Sequence, residues 1–462
     1  MDPWEGSNPY ILRCYNSFVN KKRSWAWWLL LIPVGILIAY LIYQIPFVNN
    51  RLAWRIADLK TRISYALNPP DEAVFVPGQE TPLATPLITP IPPTPEPTVA
   101  LPTLTPTGEA PAETEIPLPD TVSLEGVVYV DQHERWNYCG PANLAMALKF
   151  WGWPGDRDDI ARVVKPGIND PDLDFIQQGR HDKNVMPSEM IGFVANYTDF
   201  NIVVRHGGTL ELLKELIANG YPVLVEKGYY EEDYTGKVAW LGHYLYTTGY
   251  DEAAGEFIVQ DAYLKPGPNM RVDYQTYLEG WRSFNYLFMV IYPPADEGEI
   301  YSILGPYADP SWAYGKALEI AQTEIETLSG VDQFYAWFNK GTSLVKLQSY
   351  LDAGEAYDRA YQIYGELDAD DAVRPYRITW YQTGPYWAYY YSGRYQDVVN
   401  LADFTFETID EDTLEESLYW RGLAYYALGN RALARQDLYN AAWLNPNFQA
   451  ALDMIVSLNL DE

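Results

Sequence analysis

Two cysteines and four histidines in 462 residues are few enough that each can be asked what chemistry it serves. Cys139 lies in Asn137-Tyr138-Cys139-Gly140-Pro141-Ala142, directly before Leu144, Ala147, Leu148 and Trp151, which share one helical face. The run Gly126–Val130 looks like a strand, and a helix over 142–150 is predicted after it, with Pro141 near its first turn, where a missing N–H does no harm. The partial positive charge of a helix start favours thiolate over thiol, so Cys139 is the candidate nucleophile. Upstream, Gln132 carries an amide that could donate to a developing oxyanion. His133, His181 and His206 stand in loop-like or strand-end contexts. His243 differs, because it lies in a segment that reads as two strands, 240–250 and 256–260, joined by a turn over 251–255. Pairing across that turn brings His243 and Asp261 to one end of a sheet, which supplies base and orienting acid for the thiol. The plainer readings are a buried structural cysteine, a sheet histidine and an ordinary turn aspartate. The scattered histidines have no metal-ligand spacing, and no P-loop is present, so no metal or other cofactor is expected.

Gln132, the Cys139-Gly140-Pro141-Ala142 run, Gly242-His243-Tyr244, Thr248-Gly249-Tyr250 and Asp261 together resemble the papain-like bacteriocin-processing peptidases and their broader relatives. The strand-like Gly220-Tyr221-Pro222-Val223-Leu224-Val225 is similar to that family's strand after the middle helices. The resemblance covers 121–295. It implies an α+β cysteine peptidase fold with a Cys139–His243–Asp261 triad and Gln132 at the oxyanion. Gln132 lies seven residues before Cys139, one more than the family's usual spacing. The transporter-linked members cut after a double glycine, but no transporter domain follows here, so that substrate is not carried over.

The formal charge of −30 is unevenly spread. The first 62 residues hold eight Lys/Arg against three Asp/Glu, leaving 24 against 59 in the rest. So acidic a surface repels phosphate backbones, and nucleic acid is not an expected partner. The basic residues flank an apolar run at 24–46, long enough as a helix to cross about 30 Å of hydrocarbon. Trp25, Trp27 and Trp28 mark one end, Tyr40 and Tyr43 the other. Lys21-Lys22-Arg23 precede the run, so the positive-inside rule puts residues 1–23 in the cytoplasm and the remainder outside the cell membrane. A cleaved signal peptide is the alternative, but no small-x-small site follows. Residues 47–68 carry Leu52, Ile56, Leu59, Ile63 and Leu67 at helical spacing, suiting either a membrane-surface helix or a solvated one.

Residues 69–120 are Pro/Thr-rich and nearly free of large aromatics. Proline lacks the donor that helix and sheet need, so a disordered stalk is predicted, extended at about 3.1 Å per residue. From 296 onward the pattern turns helical, with a period near 34. Trp337, Gly341, Leu344, Ala353, Tyr357 and Ala360, then Gly422, Tyr425, Gly429, Ala434, Leu438, Ala441 and Pro446, resemble the tetratricopeptide repeat family. A poorer copy surrounds Tyr389, Gly393, Tyr395 and Val398. The resemblance implies an all-α array over 296–462 that binds a protein partner, with an extra helix at 312–328 and a terminal one at 447–460. The expectation is thus a single-pass membrane protein with an extracytoplasmic cysteine peptidase acting on a peptide or protein. A catalytically silent scaffold, or an acyltransferase using the same triad, remains the alternative.

Overall fold

Residues 223–225, 244–246 and 288–292 alternate between two apolar sets, which makes a sheet buried on both faces there. Val223 and Val225 join one core with Leu245, Phe288, Val290 and Tyr292, while Leu224 joins the other with Tyr244, Tyr246, Met289 and Ile291. The strands are β1 (Thr121–Ser123), β2 (Asn201–Arg205), β3 (Val223–Glu232), β4 (Val238–Asp251), β5 (Glu256–Gln260), β6 (Met270–Asp273) and β7 (Phe288–Tyr292). They make one antiparallel sheet in the order β2-β7-β3-β4-β5-β6, with β1 also on β4. A register shift between Thr247 and Gly249 moves Tyr250 into the same core as Leu245. Helices α1 (Cys139–Phe150), α2 (Arg157–Val164) and α3 (Pro187–Tyr197) supply one core. Helices α4 (Leu210–Ala218) and α5 (Tyr274–Arg282) supply the other, with α6 (Glu297–Leu304). This computed structural model describes residues 31–45, 74–78, 117–133, 137–165, 184–232, 238–367, 374–409 and 414–460, with Arg135 and isolated positions between 48 and 67.

Gly126–Val130, which reads as a strand from sequence, is not one. Gly126 has φ +81°, a left-handed turn that breaks the ladder, and pairing occurs earlier, at β1. The segment after it is held by other bonds: Tyr129 Oη donates to Asp261 O at 3.0 Å and Gln132 N–H to Ala262 O at 2.9 Å.

The C-terminal region is helical: α7 (Pro310–Thr327), α8 (Gly330–Lys346), α9 (Tyr350–Glu366), α10 (Ile378–Tyr381), α11 (Gly384–Tyr391), α12 (Tyr395–Glu407), α13 (Glu415–Ala427), α14 (Arg431–Leu444) and α15 (Gln449–Ser457). Close approach depends on small residues. A side chain on Gly341 would strike the Tyr357 ring at 2.7 Å, and one on Gly422 would meet Leu438 at 3.0 Å. Residues 376–395, rich in Tyr, serve packing: Tyr386, Tyr389 and Tyr390 are fully buried.

The helical region is not a detached module. Its core takes in Ala239, Trp240 and Phe284 from the sheet domain. Polar groups seal the junction: Arg282 pairs with Glu324 at 2.8 Å and Asp332 at 2.7 Å, Gln382 Nε2 donates to Ser283 O at 2.7 Å, and Asn184 Nδ2 donates to Trp380 O.

At the N-terminal end, residues 31–43 are helical and nearly all exposed, apolar ones such as Ile36 and Leu41 included. The span expected over 24–46 begins outside the described residues. Among the described residues no helix is long and apolar enough to cross a membrane. Leu52, Ile56, Leu59, Ile63 and Leu67 are helical and exposed. The disordered-stalk expectation fails at 74–78, where Phe75 is buried against the helical region. The reason is local composition, since Val74-Phe75-Val76 is an apolar patch within a proline-rich tract. Most of the remaining stalk, including all of 79–116, lies outside the described residues.

Candidate active site

Cys139 opens α1, three residues earlier than the apolar pattern alone indicates. Asn137, two residues before it, has φ +51°, and no side chain caps the helix, so the first-turn N–H groups are unclaimed by a cap and that of Gly140 reaches the sulfur. The helix start is fixed by Asn143. Its buried Nδ2 donates to Cys139 O at 2.9 Å, one turn back, and to Tyr244 O on β4 at 3.0 Å. β5 pairs with β4 only from Tyr246 onward, so α1 abuts β4 just where that edge lacks a strand. One amide thereby locks the candidate nucleophile beside the residue that follows His243.

The β4–β5 hairpin does the rest. Its turn sets Tyr246 opposite Gln260, and Asp261 follows directly. His243 Nε2 and Asp261 Oδ1 are 2.9 Å apart, with both side chains buried. The same oxygen accepts from the Tyr263 and Leu264 backbone N–H groups at 2.9 and 2.8 Å, a tight turn that fixes the carboxylate. With Nε2 engaged by Asp261, Nδ1 is the nitrogen left for Cys139.

The charges follow from these contacts. Burial alone raises the Asp261 pKa, but the charge and hydrogen bond of His243, with the Leu264 and Tyr263 amides, bring it down to about 2. Burial lowers His243, but Asp261 and then Cys139 lift it to about 10. Burial pushes the Cys139 thiol up. The hydrogen bond and charge of His243 outweigh that with help from the Tyr244 and Gly140 N–H groups, leaving the thiol below its ordinary value. The arrangement therefore shifts the pair towards thiolate and imidazolium.

Gln132 is buried, and its backbone N–H bonds to Ala262 O, which ties its loop to the residue after Asp261. His133 pairs with Asp131 at 2.8 Å and stacks on Tyr263 at 5.7 Å, at the rim. His206 is buried, and its pKa falls to about 3, mainly through burial, with Lys346 and Arg205 adding repulsion. His181 lies outside the described residues. Among the described residues no group of three His, Cys, Asp or Glu side chains is arranged to hold a metal ion.

Sequence reasoning missed four neighbours. Asn143 sits at i+4 from Cys139, a spacing that could have flagged it. Glu226 and Lys227, opposite Tyr244 and His243 on β3, are charged residues inside an apolar strand, which is itself a signal. Burial, aided by charge on Cys139, raises the Glu226 carboxyl well above its usual range against a bond from Tyr244, which favours the protonated acid. Burial also lowers Lys227, opposed by Asp261. Tyr381 comes from the helical region, and nothing in the sequence connects it with His243. Its ring lies on Gly242, where an added side chain would come within 2.9 Å of Cγ and Cδ1. Burial raises its phenol, Arg377 opposes that and charge on Cys139 adds to it, so the hydroxyl keeps its proton.

Residues 124–289 match the model of the Peptidase_C39 like family. No curated protein matches the chain. Among solved structures, a crystal structure titled as a C39-like peptidase from Bacillus anthracis aligns at 18% identity, over 37% of this chain and 97% of that one. Its TM-score is 0.29, too low to say more of the fold. Residues 124–289 are thus similar to the Peptidase_C39 like family, and the chain adds a helical region after them.

Proposed function

We propose that the chain is a cysteine peptidase hydrolysing peptide bonds, with Cys139 as nucleophile, His243 as base and acid, Asp261 as orienting residue and Gln132 as oxyanion donor. The observation that carries this reading is the buried His243–Asp261 bond of 2.9 Å beside a free thiol at a helix start. The thiolate attacks the scissile carbonyl carbon and its π pair moves to oxygen, where the Gln132 amide donates to it. The tetrahedral adduct collapses as the imidazolium hands its proton to the departing amine, leaving a thioester on Cys139. Water then attacks that thioester, neutral His243 takes its proton, and the acid departs as thiolate and imidazolium reform. The upward shift of Glu226 suits this cycle, since a second buried anion would disfavour the thiolate.

The helical region is read as a tetratricopeptide-type array for a protein partner. Antiparallel pairs at α8–α9, α11–α12 and α13–α14, closed through Gly341 and Gly422, support that reading. The chain is further read as a single-pass protein of the cell membrane, N-terminus inside and both regions outside. Its support is the apolar run at 24–46 with the Lys21-Lys22-Arg23 flank and the exposed apolar surface of helix 31–43.

Incubating the full chain with a pooled peptide library and reading new termini by mass spectrometry tests the activity. Cleavage should appear and fall by about 1,000-fold or more in Cys139→Ala. Cleavage unchanged in Cys139→Ala would exclude the mechanism. Acyl transfer to added amines without hydrolysis would replace peptidase by transferase.

A further inference from the structure

Residues 74–78, Val-Phe-Val-Pro-Gly, lie more than 280 positions from the side chains that grip them. Phe75 is 4% exposed, edge-on to Tyr361 at 4.8 Å and tilted against Tyr389 and Phe404, each at 6.1 Å. Val74 packs on Gly365, where the missing side chain leaves room: a β-carbon there would sit 3.3 Å from Val74 Cγ1. At the other end both backbone groups of Gly78 are read. Its N–H donates to Asp397 Oδ1 at 2.6 Å, and its carbonyl accepts from Arg394 Nη2 at 3.0 Å.

Arg394 and Asp397 are buried, at 7% and 1% exposure. Arg394 also bonds Asp397 Oδ2 at 2.7 Å and Asp358 at 2.8 and 3.0 Å, and its guanidinium stacks on Tyr389 at 4.4 Å. A carboxylate oxygen this deep needs a donor, and Gly78 provides it. An aromatic pocket that takes one side chain, joined to a buried Arg/Asp fork that takes one residue's main chain, is a site built for an extended peptide.

We propose that the seam of α9, α11 and α12 is a binding site for an aromatic-Val-Pro-Gly peptide, and that residues 74–78 of the same chain are its resident ligand. The inference stands whether or not Cys139 is a nucleophile. Occupation from within the chain is geometrically easy. The 38 residues from 79 to 116 can reach of order 100 Å before β1, far more than a domain's width. Such a tether gives an effective concentration of order mM, which a second copy at micromolar concentration cannot match.

The probe is a fluorescein-labelled peptide of residues 71–80, read by anisotropy with full-length protein. Phe75→Ala empties the pocket and should bind the peptide about 100-fold more tightly than wild type, whose own segment competes. The double variant Phe75→Ala/Arg394→Ala, and a peptide with Ala for Phe, should each bind at least about 100-fold more weakly. Equal binding by wild type and Phe75→Ala, or no binding by a Phe75→Ala chain with a native melting transition, overturns the proposal. A wild-type dimer that dissociates on Phe75→Ala overturns the intramolecular assignment. Wild type itself supplies a check that needs no variant: the Gly78 amide should exchange about 100-fold or more slowly than in the free peptide, and an unprotected amide contradicts docking.

Discussion

Asp261→Ala should cost about 3–5 kcal/mol of stability and return Cys139 to ordinary thiol behaviour. The magnitude follows from what remains. His243 is 3% exposed and Asp261 1%, so losing the carboxylate removes the larger of the two partners, Asp261 and Cys139, that offset the cost of burying the imidazolium. The Tyr263 and Leu264 amides lose their acceptor in the same step. Asp261→Asn keeps an acceptor for those amides and for Nε2–H but removes the charge, so it should cost less and still lower the His243 pKa. The sign of the pH dependence is fixed by the two shifts. His243 is raised to about 10, so its contribution is whole below about pH 6.5 and lost as pH climbs through 10. Asp261 is depressed to about 2, so its contribution is whole above about pH 4 and lost as pH falls through 2. Urea unfolding across pH should therefore show the wild-type advantage over Asp261→Ala at its fullest between about pH 4 and 6.5, shrinking towards pH 10. An advantage independent of pH would mean the pair is not ionic.

Trp240→Ala is the second large effect, at about 3–5 kcal/mol. Trp240 is 1% exposed and stacks on Phe284 at 5.7 Å, with Tyr335 at 6.3 Å and Tyr381 at 5.8 Å. It therefore belongs to β4 by sequence and to the helical core by packing. It lies three residues before His243, and its cavity would free the Tyr381 ring from Gly242. The expected result in a thermal melt is one cooperative transition in wild type, with sheet and helices lost together, and a lower midpoint for both in Trp240→Ala. Two separate wild-type transitions, only one of them moved by the substitution, would show that the regions fold independently.

The parts legible in the sequence were those coded by short-range pattern. The turn 251–255 and strand 256–260 fixed the hairpin, and with it the approach of Asp261 to His243. Cys-Gly-Pro before an apolar helical face marked the start of α1. The strand misread at 126–130 shows the limit of pattern, because an apolar run reads as a strand while a left-handed glycine and side-chain bonds decide otherwise. Tyr381 and Phe75 were out of reach for a different reason. Each contributes through contacts more than 100 residues away, and a lone aromatic in a one-turn helix or a proline tract carries no periodicity that names its partner.

The most direct test of the thiolate–imidazolium pair is the pH dependence of Cys139 alkylation by iodoacetamide in full-length protein with Cys14→Ser, beside the same chain carrying His243→Ala. A free thiol titrates near 8.5, and a His-paired one at roughly 3.5–7.5. The predicted result is a depressed midpoint for Cys139 and a midpoint returning upward in His243→Ala. An ordinary midpoint near 8.5 in both proteins would contradict the ion pair and with it the peptidase mechanism.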